Sequence, residues 1–319
     1  MKPHYEKVTV LAPARLHMGF IDLSGALGRH FGSIGLALND INTHLTITPA
    51  PSLTVNGPCA KRALKAARQL CQLLKLSENI QIDLSSAIPE HIGLGSGTQM
   101  SLAIGAGLSG FYNLGLSVRD IAKLTYRGAR SGIGIGVFEQ GGLVVDGGRG
   151  PDTETPPLLS QMTVPAEWRF ILAFDQRGQG LHGEQEVSAF KQLPPFPRSE
   201  AERLCYLLLM QALPAVAERN LSLFGEVITE LQATVGRHFS PVQGGIFTSP
   251  EVAAAMNWLQ QQGAVALGQT SWGPTGFCAV DTQELADSLL IALQSRFTSE
   301  HLCFKVASAR NTGAEVTLV

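Results

Sequence analysis

Apolar and polar positions change period several times along the chain, and each change marks an element. Residues 8–12, 43–48 and 80–84 alternate apolar with polar side chains, the two-residue period of a half-buried strand. Residues 59–76 instead place Leu64, Ala67, Leu70, Cys71 and Leu74 at helical spacing. A second helix is expected over 117–129, with Val118, Ile121, Ala122 and Leu124 on one side and Ser117 as its cap. A short strand follows at 143–145. In the second half the pattern predicts strands at 168–174, 264–267, 277–280 and 302–307, and helices at 200–212, 221–235, 250–262 and 283–295. The closing order of strands and helix is of the ferredoxin-like type. Pro13 is expected to end the first strand, and the Gly-, Pro- and Thr-rich stretch 147–165 reads as a linker. Two lobes of mixed α+β content follow, residues 1–150 and 165–319.

The chemistry concentrates in residues 79–112. Pro89 stops a strand, Gly93, Gly95 and Gly97 then fall at every second position, and a helix begins at once, with Ser96 or Thr98 as its expected cap. Ala103, Gly105, Ala106 and Gly107 give that helix a small-residue face able to approach a sheet closely. Strand, glycine turn and helix N-terminus make an anion cradle, because unpaired amides and the positive end of the helix dipole converge. Two familiar phosphate loops are excluded by spelling. No Lys-Ser or Lys-Thr follows Gly97, and Thr98 stands where a third glycine of G-x-G-x-x-G belongs.

Other polar groups interrupt apolar runs. Arg15, His17 and Asp22 stand among Leu16, Met18, Phe20 and Ile21, which suits either an internal Arg15–Asp22 ion pair or contacts to phosphate or carboxylate oxygens. Arg29 and His30 sit at the tip of a glycine-rich hairpin or wrapped loop, where Arg29 is placed to reach a phosphate. Five glycines over 132–142 read as a packed strand pair or as a second ligand loop with Arg130 at its mouth. Asp175, Arg177, His182 and Glu184 punctuate a turn, with structural and functional readings evenly balanced. GQTSWGPTGFCAV, at 268–280, gathers hydroxyls, amides and the indole of Trp272, which serves as a core cap or as a flat ligand platform.

Composition narrows the partners. The 319 residues carry a formal charge of −2, so neither a nucleic-acid footprint nor a polybasic membrane patch is present, and a small-molecule partner is expected. Five scattered cysteines with no C-x-x-C pair fit a reducing, cytoplasmic setting better than a zinc site. No long apolar run reads as a membrane span.

Pro89 to Ser96 resembles the P-x-x-x-G-L-G-S-S motif of the GHMP superfamily of small-molecule kinases, with Gly97 in place of the second serine. Within that superfamily APARLHMGFIDL, GLGSGTQMS, GIGIGVFEQGGLVVDGG, PVQGGIFTSP and GQTSWGPTGF resemble the β-ribofuranosylaminobenzene 5'-phosphate synthases. The resemblance implies a GHMP-kinase-like fold, an N-terminal ribosomal-protein-like βαβ lobe with a C-terminal ferredoxin-like lobe. It also implies condensation of phosphoribosyl pyrophosphate with 4-aminobenzoate, or 4-hydroxybenzoate in some relatives, releasing CO2 and pyrophosphate on the way to methanopterin-type carriers. On that reading Gly93, Gly95, Ser96, Gly97 and Thr98 hold phosphate, and Arg15, His17 and Arg29 neutralise phosphate oxygens or orient the benzoate. Asp22 binds Mg2+ through the pyrophosphate. Ser271, Trp272 and Thr275 close the other side, and Arg130, His182 and Glu184 complete the substrate set. A homodimer is the default assembly. The alternative is an ATP-dependent kinase of the superfamily, for which an aspartate is expected near 133–136. None occurs before Asp146.

Overall fold

A computed structural model describes residues 4–177, 188 and 192–319; His182 and Glu184 lie outside the described residues. The N-terminal lobe is organised by two long antiparallel strands, β1 (Val8–Asp22) and β2 (Phe31–Pro49). Pro13 does not end β1. The ladder shifts register between Pro13 and Ala14 and runs on, because a bulge accommodates a residue without an N–H. A second shift falls between His17 and Gly19.

β3 (Thr54–Asn56) and β4 (Ile80–Ser86) are parallel neighbours joined by α1 (Ala60–Leu74), the βαβ unit expected from the resemblance. α2 (Ser96–Phe111) packs its small-residue face onto the sheet, with Gly107 facing Ile47 and Val10. α3 (Val118–Leu124) starts at a capping box in which Ser117 and Asp120 satisfy each other's backbone N–H.

Two expectations fail here. The glycines from 132 do not form a loop or a strand pair. Residues Ile133–Gln140 are a helix, α4, in which Gly134 and Gly136 allow close approach to Thr98, Val144 and Leu158. Tertiary packing overrides the low helix propensity of glycine. The stretch 147–165 is not simply a linker either: β5 (Leu143–Asp146) pairs with β6 (Leu158–Met162), extending the sheet through β2.

The second sheet has the order β10-β7-β9-β8, built from β7 (Arg169–Asp175), β8 (Val265–Gln269), β9 (Thr275–Val280) and β10 (Leu302–Ser308), all antiparallel. With α8 (Pro250–Gln261) and α9 (Gln283–Arg296) on one face it is a ferredoxin-like layer. α5 (Arg198–Leu207) passes through a wide turn, Leu208–Ala212, into α6 (Leu213–Ala217). α7 (Leu221–Gln243) then lies between the two sheets. A shared core joins the lobes: Leu16, Met18, Phe20 and Leu36 of the first sheet pack with Phe224, Leu231, Phe239 and Trp272 of the second half. β11 (Glu315–Leu318) returns the C-terminus to β1. The lobes are therefore interlocked, and the cleft between them is framed by rigid elements.

Candidate active site

The glycine turn lies along β1 with its carbonyls facing that strand. Arg15 N–H donates to Leu94 O at 3.1 Å, and Arg15 Nη1 donates to Gly93 O at 2.7 Å. Thr270 Oγ1 donates to the same Gly93 oxygen at 2.9 Å and accepts from His17 N–H at 3.0 Å. One threonine thus ties β1, the glycine turn and the turn before β9 together. Because the carbonyls point back, the opposite side of the turn is left to main-chain N–H groups, and the first-turn amides of α2 have no intrahelical acceptor.

The cap expected from Ser96 or Thr98 is not made. α2 begins at Ser96, its N-cap is Gly95 at φ 80°, and no side chain caps it. The left-handed entry is open to glycine, and it keeps both hydroxyls free of the capping role. A Cβ on Gly95 would meet Arg15 Cγ at 2.7 Å, and one on Gly93 would strike the Thr270 carbonyl. Backbone and cation are in direct contact.

Gly97 faces the other way. A Cβ there would lie 2.5 Å from Arg62 Nη2 and 3.5 Å from Arg127 Nη1. Beyond it opens a cleft of about 660 Å3 between α1, α2 and α3, bordered by Arg62, Lys65, Gln69, Ser101 and Arg127. Arg127 donates to Ser101 Oγ at 2.9 and 3.2 Å, and burial, followed by the charge of Arg62, lowers its pKa. Two guanidiniums held this close, of which Arg62 alone has a carboxylate partner among the described residues, Glu90 at 2.9 Å, favour an anion between them.

On the far side of Thr270 a narrow recess is lined by His17, Phe20, Phe239 and Trp272. The rings form a chain, His17 to Phe20 at 4.8 Å edge-on, Phe20 to Phe239 at 6.4 Å, and Phe239 to Trp272 at 4.2 Å. His17 is buried and its pKa lies well below the usual histidine value, from burial first and then the neighbouring charge of Arg15. Trp272 is only 2% exposed and packs in the shared core. Ser271 stands at φ 57° at the rim, and Thr275 is fully buried in β9.

The remaining expected residues lie elsewhere. The expected Arg15–Asp22 ion pair is not among the salt bridges of the described residues. Asp22 Oδ1 accepts instead from Ser24 N–H at 2.7 Å, Ser24 Oγ at 2.6 Å and Gly25 N–H at 3.2 Å, which closes the turn after β1. Arg29 donates to the carbonyls of Gly147 and Gly148, both at 3.0 Å. Both residues border a largely apolar cleft of about 650 Å3 together with Asp146. Arg130 lies in the connection between α3 and α4. No group of three or more His, Cys, Asp or Glu side chains able to hold a metal occurs among the described residues.

Comparison with known proteins agrees with this geometry. The patterns described as GHMP kinases N terminal domain and GHMP kinases C terminal match residues 60–141 and 212–299. The β-ribofuranosylphenol 5'-phosphate synthase of Methanocaldococcus jannaschii is 35% identical over 306 residues, covering 87% of this chain and 91% of that protein. The chain belongs to the β-ribofuranosylphenol 5'-phosphate synthase family. A second synthase of that name, from Archaeoglobus fulgidus, is 32% identical over 95% of this chain and 97% of its own length. Mevalonate kinase of L. major, bound to R-mevalonate, shares the fold with a TM-score of 0.71 at 15% identity, covering 98% of this chain and 99% of that one.

Membership in the synthase family makes this chain an enzyme, and its site departs from the expectation for a kinase. At 133–136 there is no carboxylate, and a Cβ on Gly134 would come within 2.9 Å of Thr98 Cγ2. Gln99 Nε2 donates to Gly134 O at 2.8 Å and closes the remaining space. Arg62, Lys65, Arg127 and Thr270 were not singled out from the sequence. The first three belong to helices or turns that read as scaffold, and only the fold turns them toward Gly97. Thr270 adjoins the Ser-Trp-Gly-Pro run, and that proximity was the available signal.

Proposed function

We propose that this enzyme condenses phosphoribosyl pyrophosphate with 4-hydroxybenzoate, or with 4-aminobenzoate, and releases CO2 and pyrophosphate. The phenol in the relatives' name favours the hydroxy acid as the first acceptor to try. The carrying observation is the two-sided glycine turn, with Arg15 and Thr270 on one side and Arg62 and Arg127 on the other. Pyrophosphate sits on the Gly97 side, where Arg62, Lys65, Arg127 and the amides of Ser96, Gly97 and Thr98 stabilise charge as it moves to the leaving group. The acceptor ring occupies the other side, toward His17 and Trp272. Attack by the ring carbon that bears the carboxylate needs no base on carbon, since loss of CO2 restores aromaticity. This fits a site without a carboxylate at 133–136.

Mg2+ belongs to the same reading. Asp22 has one oxygen engaged in its own turn and the described residues offer no cage, so the ion would be held chiefly by pyrophosphate oxygens. We take the enzyme to act in the cytoplasm as a homodimer. Five free cysteines support the compartment, and exposed Leu27, Leu159 and Leu209 around one cleft support an apolar contact. The test is incubation with phosphoribosyl pyrophosphate, Mg2+ and each acceptor. Equal amounts of CO2 and pyrophosphate are expected; ATP consumption with a hydroxyl acceptor and no CO2 would overturn the reading.

A further inference from the structure

A carboxylate stands beside the cationic cleft, where the charge of an incoming anion would repel it. Glu90, in the segment that leads into the glycine turn, pairs with Arg62 at 2.9 Å, and the two side chains are 36% and 35% exposed. An ion pair this open to water contributes little to folding, so its position calls for another account.

The two guanidiniums of the cleft are each gripped by one edge. Arg62 Nη1 donates to Glu90 Oε1, while Arg62 Nη2 is the nitrogen 2.5 Å from the point a Cβ on Gly97 would occupy. Arg127 donates from Nε and Nη2 to Ser101 Oγ, at 3.2 and 2.9 Å, and its Nη1 lies 3.5 Å from the same point. Ser101 Oγ in turn donates to Gly97 O at 2.9 Å. One anchor is a buried neutral hydroxyl tied to the backbone of α2; the other is a charge. In both cases the nitrogen left over is the one nearest Gly97. An oxyanion arriving there meets one N–H from each arginine.

The two anchors are not equivalent. Ser101 already holds Arg127, whereas Arg62 is a long side chain on α1 with water beside it. Like charges this close repel, and rotamer freedom draws a half-exposed arginine toward solvent. Glu90 opposes both effects. It also belongs to the connection that ends in Gly93, so it fixes the cation to the stretch that supplies the turn's amides.

Resting on the pyrophosphate placement in the synthase reading above, we propose that Glu90 is a positioning residue, which holds Arg62 with Nη2 toward the pyrophosphate and acts on the donor only through that guanidinium. The carboxylate does not cancel the gain, because the guanidinium lies between it and the anion.

The sign of the effect separates this role from simple charge. Removing a carboxylate near an anion site by itself tightens anion binding, whereas removing a positioning residue weakens it. Wild type, Glu90→Gln, Arg62→Ala and the double variant are compared in two ways: calorimetric binding of inorganic pyrophosphate with Mg2+, and steady-state kinetics with phosphoribosyl pyrophosphate at saturating acceptor. Glu90→Gln is expected to weaken pyrophosphate binding and raise KM for phosphoribosyl pyrophosphate about three- to tenfold, with kcat within about twofold of wild type and the melting temperature unchanged. In the Arg62→Ala background the same substitution is expected to add nothing, since the two residues act as one. Tighter or unchanged pyrophosphate binding in Glu90→Gln overturns the proposal, as does an effect that persists in full without Arg62. A wild type that does not bind pyrophosphate overturns it too. Wild type that binds pyrophosphate but releases no CO2 from any acceptor would instead sink the synthase reading, and the binding comparison still decides the role of Glu90.

Discussion

Thr270 Oγ1 donates to Gly93 O at 2.9 Å, so a residue of the C-terminal lobe holds the glycine turn 177 positions earlier in the chain. The same oxygen accepts from His17 N–H at 3.0 Å, beside the register shift that separates His17 from Gly19 in β1. The phosphate turn and the aromatic recess are thereby set at a fixed spacing.

Thr270→Val keeps the shape and removes both bonds. It is expected to cost about 1–3 kcal/mol of stability, because His17 N–H and one contact to Gly93 O are left without a partner. Turnover should fall more steeply than stability, as the turn and the recess lose their common anchor. Thr270→Ser should retain both. Thermal melting and CO2 release measured on the same samples check this; a valine variant with wild-type turnover would remove Thr270 from the account.

The two-sided turn makes a separate prediction for the Gly97 side. Arg62→Ala and Arg127→Ala should each raise KM for phosphoribosyl pyrophosphate about tenfold or more, the loss of a charge-assisted contact. Gly97→Ala should behave like Arg62→Ala with little change in melting temperature, since its Cβ displaces only the end of a flexible guanidinium. Steady-state kinetics with the acceptor saturating decide it. An unchanged KM in all three variants would place the pyrophosphate elsewhere.

Acid stability should depend on Asp175. Arg177, donating at 2.9 and 3.1 Å, is the main cause that lowers the Asp175 pKa to about 2, with burial opposing and Ser249 assisting. The folded value lies below the unfolded value of about 3.9, so the stabilisation is complete above that pH and is lost as pH falls toward 2. Asp175→Asn is expected to lower stability at neutral pH by about 1–2 kcal/mol, allowing for the solvent-exposed guanidinium, and to converge with wild type near pH 2. Melting curves from pH 2 to 7 test the convergence. A constant difference across that range would show that the carboxylate's charge is not the cause.

Much of the site was legible as pattern. Gly93, Gly95 and Gly97 announced a turn before a helix, and Arg15, His17 and the Ser-Trp-Gly-Pro run stood out against their surroundings. Their chemistry was less legible. Arg15 stood out as a cation for oxyanions, but not that its guanidinium also braces Gly93 O, and Asp22 reads as a partner for Arg15 until its carboxylate is seen closing its own turn. The glycines at 134 and 136 suggested a strand pair or a loop because propensity is local, whereas the helix they occupy packs against Thr98 and Val144.

What the amino-acid order determined by itself is periodic or short-range: strand and helix periods, the tight glycine turn, the cap at Ser117 and the lack of a carboxylate at 133–136. These depend on neighbours within a few residues. Only the tertiary structure decided which side of the turn each cation serves, that Thr270 bridges Gly93 and His17, and that His17 is buried beside the aromatic recess. Those are relations between segments more than a hundred residues apart, and they exist only once burial of the shared core has brought the two sheets together.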